Sequence, residues 1–268
     1  MKLLVLATLA LSISFAFLQA EDSVVSAEQE IVSNSIKVAV TEIPLLTAKA
    51  YGVFDIKTGE VLFSNNATEE LPIASVTKLF TARDVLEELA LSEEVVITNQ
   101  DIETEGRSGK LESGQLYKTR ELLFPLLLES SNDAATSLGR LVGEINLAGK
   151  PLADPSGLSS RNLASVNELE QEVRSMYRSH PYIFDVTTLK EQMGEYTGWV
   201  NNSPVYDLPG YKGGKHGYTQ EANRTLVAVF SEVSLAGREL GYIILGSENI
   251  REDVLSLRKA VESSVTLE

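Results

Sequence analysis

The chain has no cysteine. That excludes a thiol nucleophile and cysteine-ligated zinc, and it leaves no disulfide to staple the fold. With 268 residues, 43% of them hydrophobic, the core is large enough to do without one. Histidine is nearly as scarce. Only His180 and His216 occur, so a His-rich metal site is excluded and a Ser-His-Asp triad would have just two possible bases. Basic residues are outnumbered, 23 against 38, for a formal charge of −15. Such a chain is not built to bind nucleic acid or to lay a basic helix on a membrane. Repeats, low-complexity tracts and an interdomain linker are lacking too, so a single domain is expected. Nothing calls for a metal or a cofactor.

Long apolar runs are confined to the N-terminus, "MKLLVLATLALSISFAFLQA". Lys2 supplies a minimal basic start, an apolar stretch follows, and Ala20 before Glu21 suits a small-residue cleavage site. Residues 1–20 therefore read as a secretory signal peptide. Left uncleaved, the same stretch would be a membrane anchor. The protein is expected to be exported, periplasmic or extracellular, or tethered to the membrane if the segment stays. Residues 21–46 are polar at first and low in aromatics, and read as a flexible leader. Residues 47–268 are expected to form the domain.

"AYGVFDIKTGEVLFS", from Ala50, has two β-rich runs around a glycine-containing turn, the pattern of a hairpin. "LPIASVTKLFTARDVLEELAL" follows. Its apolar Leu79, Phe80, Val85, Leu86 and Leu89 have helical spacing, and Ser75 lies at the helix start. "TRELLFPLLLESSNDAATSLGRLVGEI" reads as two helices with Pro125 early in the first and a break at 129–132, where Asn132 or Asp133 can cap the second. After a Pro/Gly turn and another helix come three β runs on short connections, hence antiparallel neighbours. A last helix presents Ile250, Val254, Leu257 and Val261 on one face. If the hairpin joins the late strands, the fold class is α/β of the α+β type: an antiparallel sheet flanked by helices, with a helical subdomain.

Three motifs carry chemistry. Ser75-Val76-Thr77-Lys78 puts a serine and a lysine three apart, on one helix face, where a neutral amine can activate the hydroxyl. The pattern is not unique, because Ser256 and Lys259 repeat it inside the last helix. Ser130-Ser131-Asn132 is Ser-x-Asn, a pattern that also starts at Ser64, Ser160, Ser165 and Ser247. Only the Ser130 copy sits in a break between apolar helices. Two Lys-x-Gly triplets are candidates. The literal Lys57-Thr58-Gly59 lies at the hairpin turn, which explains it without catalysis. Lys215-His216-Gly217 lies in a β run, where glycine marks close approach by a ligand or another backbone.

Taken in order, Ser-x-x-Lys on a helix, Ser-x-Asn in a helical break and Lys-x-Gly on a late strand match the arrangement of penicillin-binding proteins and related β-lactamases. The sequence resembles the low-molecular-weight D-alanyl-D-alanine carboxypeptidase family of penicillin-binding proteins. The likeness is carried by "FDIKTGEVLFSNNATEELPIASVTKLFTA", "RELLFPLLLESSNDAATSL", "DPSGLSSRN" and "GGKHGYTQEANRTLVAVF". The resemblance implies a DD-peptidase/β-lactamase-like fold. It also implies roles: Ser75 as nucleophile, Lys78 as its base, Ser130 as proton relay, and Asn132 holding the substrate backbone. Backbone N–H groups of Ser75 and Tyr218 would form an oxyanion hole beside Gly217. Lys215 and His216 would bind the terminal carboxylate. The partners implied are peptidoglycan stem peptides, with β-lactam antibiotics as covalent inhibitors.

For Lys78 to act near pH 7 its pKa must fall by about 3 units from the usual ~10.4. Burial and a second cation would both push that way, and Lys215 is the expected second cation. His216 stands where the family usually has threonine. With an ordinary pKa of ~6.5 it is expected to gain charge beside the substrate carboxylate. The stretch between Asn132 and Asp154 is short for the family, and no "ExxLN" segment offers the deacylating glutamate of a class A β-lactamase. The alternatives are a D,D-endopeptidase with the same site, or a catalytically impaired cell-wall binder because of His216. His180 reads as a surface loop residue.

Overall fold

Strand β1, Ala50–Asp55, is buried at every position, so it must have neighbours on both edges and layers on both faces. Its hairpin partner is β2, Val61–Asn65. The other edge pairs antiparallel with a strand nearly 190 residues on in the chain. That strand belongs to the late meander of β3, Tyr211–Thr219, β4, Asn223–Glu232, and β5, Arg238–Ser247. The sheet order is β3-β4-β5-β1-β2, antiparallel throughout. The hairpin therefore joins the late strands as the sequence predicts, and the fold is of the expected α+β type. β3 is left as an edge strand.

The structure is a computed structural model that describes residues 35–39, 45–106 and 108–268. The expected signal peptide, 1–20, lies outside the described residues, as do 21–34 and 40–44 of the expected leader. Where the leader is described it needs correcting. Ile36–Val38 are strand, and Ala39 N–H donates to Ser264 O (2.8 Å). Short-range sequence pattern could not reveal a partner more than 200 residues away. The body of the fold is Lys37–Thr266; Ser35–Ile36 and Leu267–Glu268 belong to a second unit, in which Glu268 N–H donates to Ser35 O (2.9 Å).

Helix α1, Thr77–Glu88, buries residues on nearly every side, including Thr77, Lys78, Asp84 and the apolar Leu79, Phe80 and Val85. A helix buried all round runs through the core rather than over it. Around it pack α2, Thr119–Leu128, and α3, Asn132–Val142. Pro125 is well inside α2, not early in it. The break between them is real, but its cap is Ser131, whose Oγ accepts from Ala134 N–H (2.9 Å); Asn132 and Asp133 are already helical. Helix α4, Val166–Ser179, starts with a Ser165/Glu168 capping box and packs on the sheet so closely that Gly52 has no room for a Cβ beside Val166. It leads through His180 into α5, Pro181–Thr188. His180 is therefore a helix-to-helix junction residue near Glu87 (3.4 Å), not part of a loop. Helix α6, Ile250–Ser264, buries the four predicted apolar residues. Its buried Asp253 accepts from Thr47 N–H (2.9 Å), Thr47 Oγ1 (2.7 Å) and Ser247 Oγ (2.7 Å).

Candidate active site

Ser75 sits in a single 3₁₀ turn, Ala74–Val76, that runs into α1. The residue before it, Ala74, has φ +46. A left-handed alanine stores about 1–3 kcal/mol and persists only where the surroundings force it. They do so from three sides. Ile73 N–H donates to Asn162 O (3.0 Å), and Ile73 O accepts from Thr225 Oγ1 on β4 (2.8 Å). Gly157, at φ +85, lies against Ala74 O so closely that any Cβ would overlap it. Gly217 on edge strand β3 lies as closely against Ser75 N. The glycine of the late Lys-x-Gly is thus there for close approach, as its place in a strand suggested.

Lys78 is fully buried. Its Nζ has three partners: Ser75 Oγ (3.0 Å), Asn132 Oδ1 (2.7 Å) and Ser156 O (2.6 Å). Asn132 is oriented by its own Nδ2, which donates to Glu105 O (2.7 Å), so the atom facing Lys78 is an acceptor. A carbonyl and an amide oxygen can only accept. When the ammonium loses a proton, its two remaining hydrogens stay with Asn132 and Ser156. The lone pair is left facing Ser75, the one partner that can donate. The geometry therefore gives neutral Lys78 one proton to take, that of the Ser75 hydroxyl.

Burial pushes the Lys78 pKa down to about 7, with the nearby carboxylates of Asp154 and Asp133 acting in the opposite direction. Burial alone supplies the depression expected in part from a second cation. The influence of the lysine pair runs the other way. Lys215, 1% exposed, is pushed well below the lysine range first by burial and then by the charge of Lys78. Its Nζ donates to His216 O (2.7 Å).

His216 departs from expectation in the same sense. Burial, then Lys215, then Lys78 push its pKa well below 6.5. It is a neutral imidazole near pH 7, with one N–H to donate, and does not gain charge there. Sequence could not show this, because the shift comes from lysines and packing that only the fold brings together.

Ser130 precedes the α3 cap, half-buried, with φ +60. It is placed by its neighbours: Ser131 caps the helix and Asn132 touches Lys78. Tyr218, beside Gly217, is 61% exposed, with the Arg224 guanidinium 5.4 Å from its ring centre. A cleft of about 350 Å³ opens there, lined by His216, Gly217, Tyr218, Arg224, Asn249 and Arg251 among others. Arg251 is paired with Asp207 (2.7 Å). Neither arginine was legible as a site residue, since single basic residues on strands and helix starts carry no pattern. A larger hollow of about 490 Å³, lined by Glu232, Val233, Leu255 and Arg258, contains none of the predicted site residues.

The competing motifs lie elsewhere. Lys57 and Thr58 are exposed in the β1–β2 turn, and Ser256 with Lys259 lies on α6, where Lys259 is exposed. The sequence reading missed Ser156, whose carbonyl holds Lys78, and Asp154, which organises the turn around it. The signal was present in "DPSGLSSRN", where an aspartate, proline and glycine mark a tight turn.

Known proteins resemble this chain in sequence and in fold. A family model described as D-alanyl-D-alanine carboxypeptidase matches residues 37–246. D-alanyl-D-alanine carboxypeptidase DacB2 of Mycobacterium tuberculosis is 29% identical over 207 residues, 69% of this chain and 71% of that protein. A D-alanyl-D-alanine endopeptidase of Escherichia coli is 26% identical over 183 residues, 62% of this chain and 57% of that one. Among solved structures, a D-alanyl-D-alanine carboxypeptidase from Mycobacterium tuberculosis superposes with TM-score 0.74 at 24% identity, covering 83% of this chain and 94% of that one. Penicillin-binding protein D2 from Listeria monocytogenes in its cefotaxime-bound form gives 0.69 at 21% identity, covering 83% and 98%. At these identities the structural likenesses show a shared fold.

Proposed function

The chain belongs to the D-alanyl-D-alanine carboxypeptidase family, and from that premise we propose that it removes the terminal D-alanine of peptidoglycan stem peptides through an acyl-enzyme on Ser75. The observation that carries this reading is the set of three partners around Lys78 Nζ. Neutral Lys78 takes the Ser75 proton as Oγ attacks the penultimate D-alanine carbonyl. General-base help of this kind is worth about 10²–10⁴ in rate. The oxyanion falls to the N–H groups of Ser75 and Tyr218, at about 3 kcal/mol per donor. As the C–N bond breaks, Ser130 passes its proton to the leaving amine and takes back the proton held by Lys78, which is then neutral again. Water then attacks the ester with Lys78 again as base, the Oγ–C bond breaks, and Ser75 regains its proton.

Asn132 aligns the substrate backbone, and Lys215 with the His216 N–H binds the terminal carboxylate. A neutral imidazole donor replaces the hydrogen bond of the usual threonine, so His216 does not demand an impaired binder. β-Lactams would acylate the same serine, and the cefotaxime-bound form of the Listeria protein supports that reading. The same atoms could cut a cross-link, the activity in the name of the Escherichia coli relative. Assays on a stem pentapeptide and on a cross-linked dimer separate the two. The N-terminal pattern supports action outside the cytoplasm, where peptidoglycan is.

A fluorescent penicillin tests the proposal. Wild-type protein and Ser256→Ala should take covalent label, and Ser75→Ala should take none. Absence of label on folded wild-type protein contradicts the reading.

A further inference from the structure

The turn after α3 contains a carboxylate that the mechanism above does not use. Asp154 Oδ1 accepts from Ser156 N–H (2.8 Å), Ser156 Oγ (2.6 Å), Gly157 N–H (2.7 Å) and Leu158 N–H (3.2 Å), and Oδ2 accepts from Ser159 N–H (2.8 Å). One side chain thereby fixes four successive residues. The turn is tied to α1 on both sides of Lys78. Thr81 Oγ1 donates to Pro155 O (2.7 Å), and Asn162 Nδ2 donates to Thr77 Oγ1 (3.1 Å) and to Asp154 O (2.9 Å). Between these ties, Ser156 O reaches Lys78 Nζ at 2.6 Å.

We propose that Asp154 is a positioning residue for the reaction: its carboxylate folds the turn that presents Ser156 O to Lys78, and so aims the lone pair of the amine at Ser75 Oγ. The argument rests on the reading of Ser75 as nucleophile and Lys78 as base. Without a fixed Ser156 O, the amine loses one of the two acceptors that hold its hydrogens away from Ser75. The lone pair is then free to turn elsewhere.

Asp154 also acts through its charge. Burial works against its ionisation, but hydrogen bonds from Ser156, Ser159 and Gly157 outweigh that and hold its carboxyl below the usual range. It is therefore an anion beside a buried amine, and it holds the proton on Lys78. The other groups facing Lys78 are Asp133 from α3, which also favours the charged amine, and Lys215 and His216 from β3, which respond to its charge. Removing the Asp154 charge leaves burial less opposed, so Lys78 loses its proton at lower pH.

The test is the pH dependence of Ser75 acylation by a fluorescent penicillin in wild type, Asp154→Asn and Ser156→Ala. Asp154→Asn should lower the plateau rate about tenfold and move the acid limb down by about one pH unit. Ser156→Ala keeps the charge and should leave the limb in place. The ties through Thr77, Thr81 and Asn162 remain in both variants. Should Asp154→Asn nevertheless unfold, Asp154→Ser, whose hydroxyl can still accept from the turn, is used in its place with the same expectation. An unlowered plateau or an unmoved limb in a folded Asp154 variant overturns the proposal: the positioning role requires the first to change and the charge the second, whereas a merely structural loss lowers the rate alike at every pH. In that case the wild type still labels and the proposed function stands. Absence of label on wild-type protein overturns both.

Discussion

Two of the chain's Lys-x-Gly triplets, Lys57-Thr58-Gly59 and Lys215-His216-Gly217, make a controlled comparison. In the β1–β2 turn, Lys57 and Thr58 face solvent. Thr58 N–H donates to Asp55 Oδ1 (2.6 Å) and Gly59 N–H to Asp55 O (2.8 Å). The threonine hydroxyl accepts from Glu60 N–H (3.2 Å), a local turn contact. On edge strand β3, Lys215 is buried beside a second buried lysine, His216 stays neutral, and Gly217 touches the backbone of Ser75. The first triplet serves a turn, through two backbone N–H groups and the Thr58 hydroxyl. The second takes its chemistry from neighbours that arrive from elsewhere in the chain: desolvation, a competing cation and a backbone N–H. The lesson is that spelling selects candidates, whereas burial and neighbouring charge decide function.

The sharpest way to break the comparison is to truncate each lysine. Lys215→Ala should cut acylation of Ser75 by about 100-fold or more, because the buried amine that shares a pocket with Lys78 is lost. Lys57→Ala should leave it within about twofold, as an exposed turn position does. Equal losses would mean that position in the fold does not separate the triplets.

A smaller effect separates the glycines. Gly217→Ala forces a Cβ onto Ser75 N and should lower acylation by about 100-fold at most, the cost of a misplaced nucleophile. Gly59→Ala places alanine at φ +79 and makes the Arg174 guanidinium move aside. It should cost about 1–2 kcal/mol of stability, seen in thermal or urea unfolding, with acylation unchanged. A catalytic loss in Gly59→Ala would contradict the turn reading.

Much of this was legible in advance where a short window contains its own cause. The β1–β2 hairpin, the spacing of Leu79, Phe80 and Val85, and the buried face of α6 follow from periodicity. Ser75 and Lys78 meet because three residues along a helix share a face. What was not legible depends on distant partners. The strand at Ile36–Val38, followed by Ala39 bonded to Ser264, looked like leader. The cap Ser131 was hidden beside the equally good capping residues Asn132 and Asp133. Asp154 earns its place only through a turn that meets α1, and the pKa values of Lys78, Lys215 and His216 belong to one shared pocket of low dielectric.

The central claim is that burial makes Lys78 a base near neutral pH, while His216 stays uncharged there. The most direct measurement is the rate of Ser75 acylation by a penicillin from pH 5 to 9, in wild type and in His216→Thr. Lys78 is set at about 7, so the acid limb should pass half-maximum near that value and lie at the same pH in both proteins. A limb near the ordinary lysine range, or one that moves when His216 is replaced, would contradict the account.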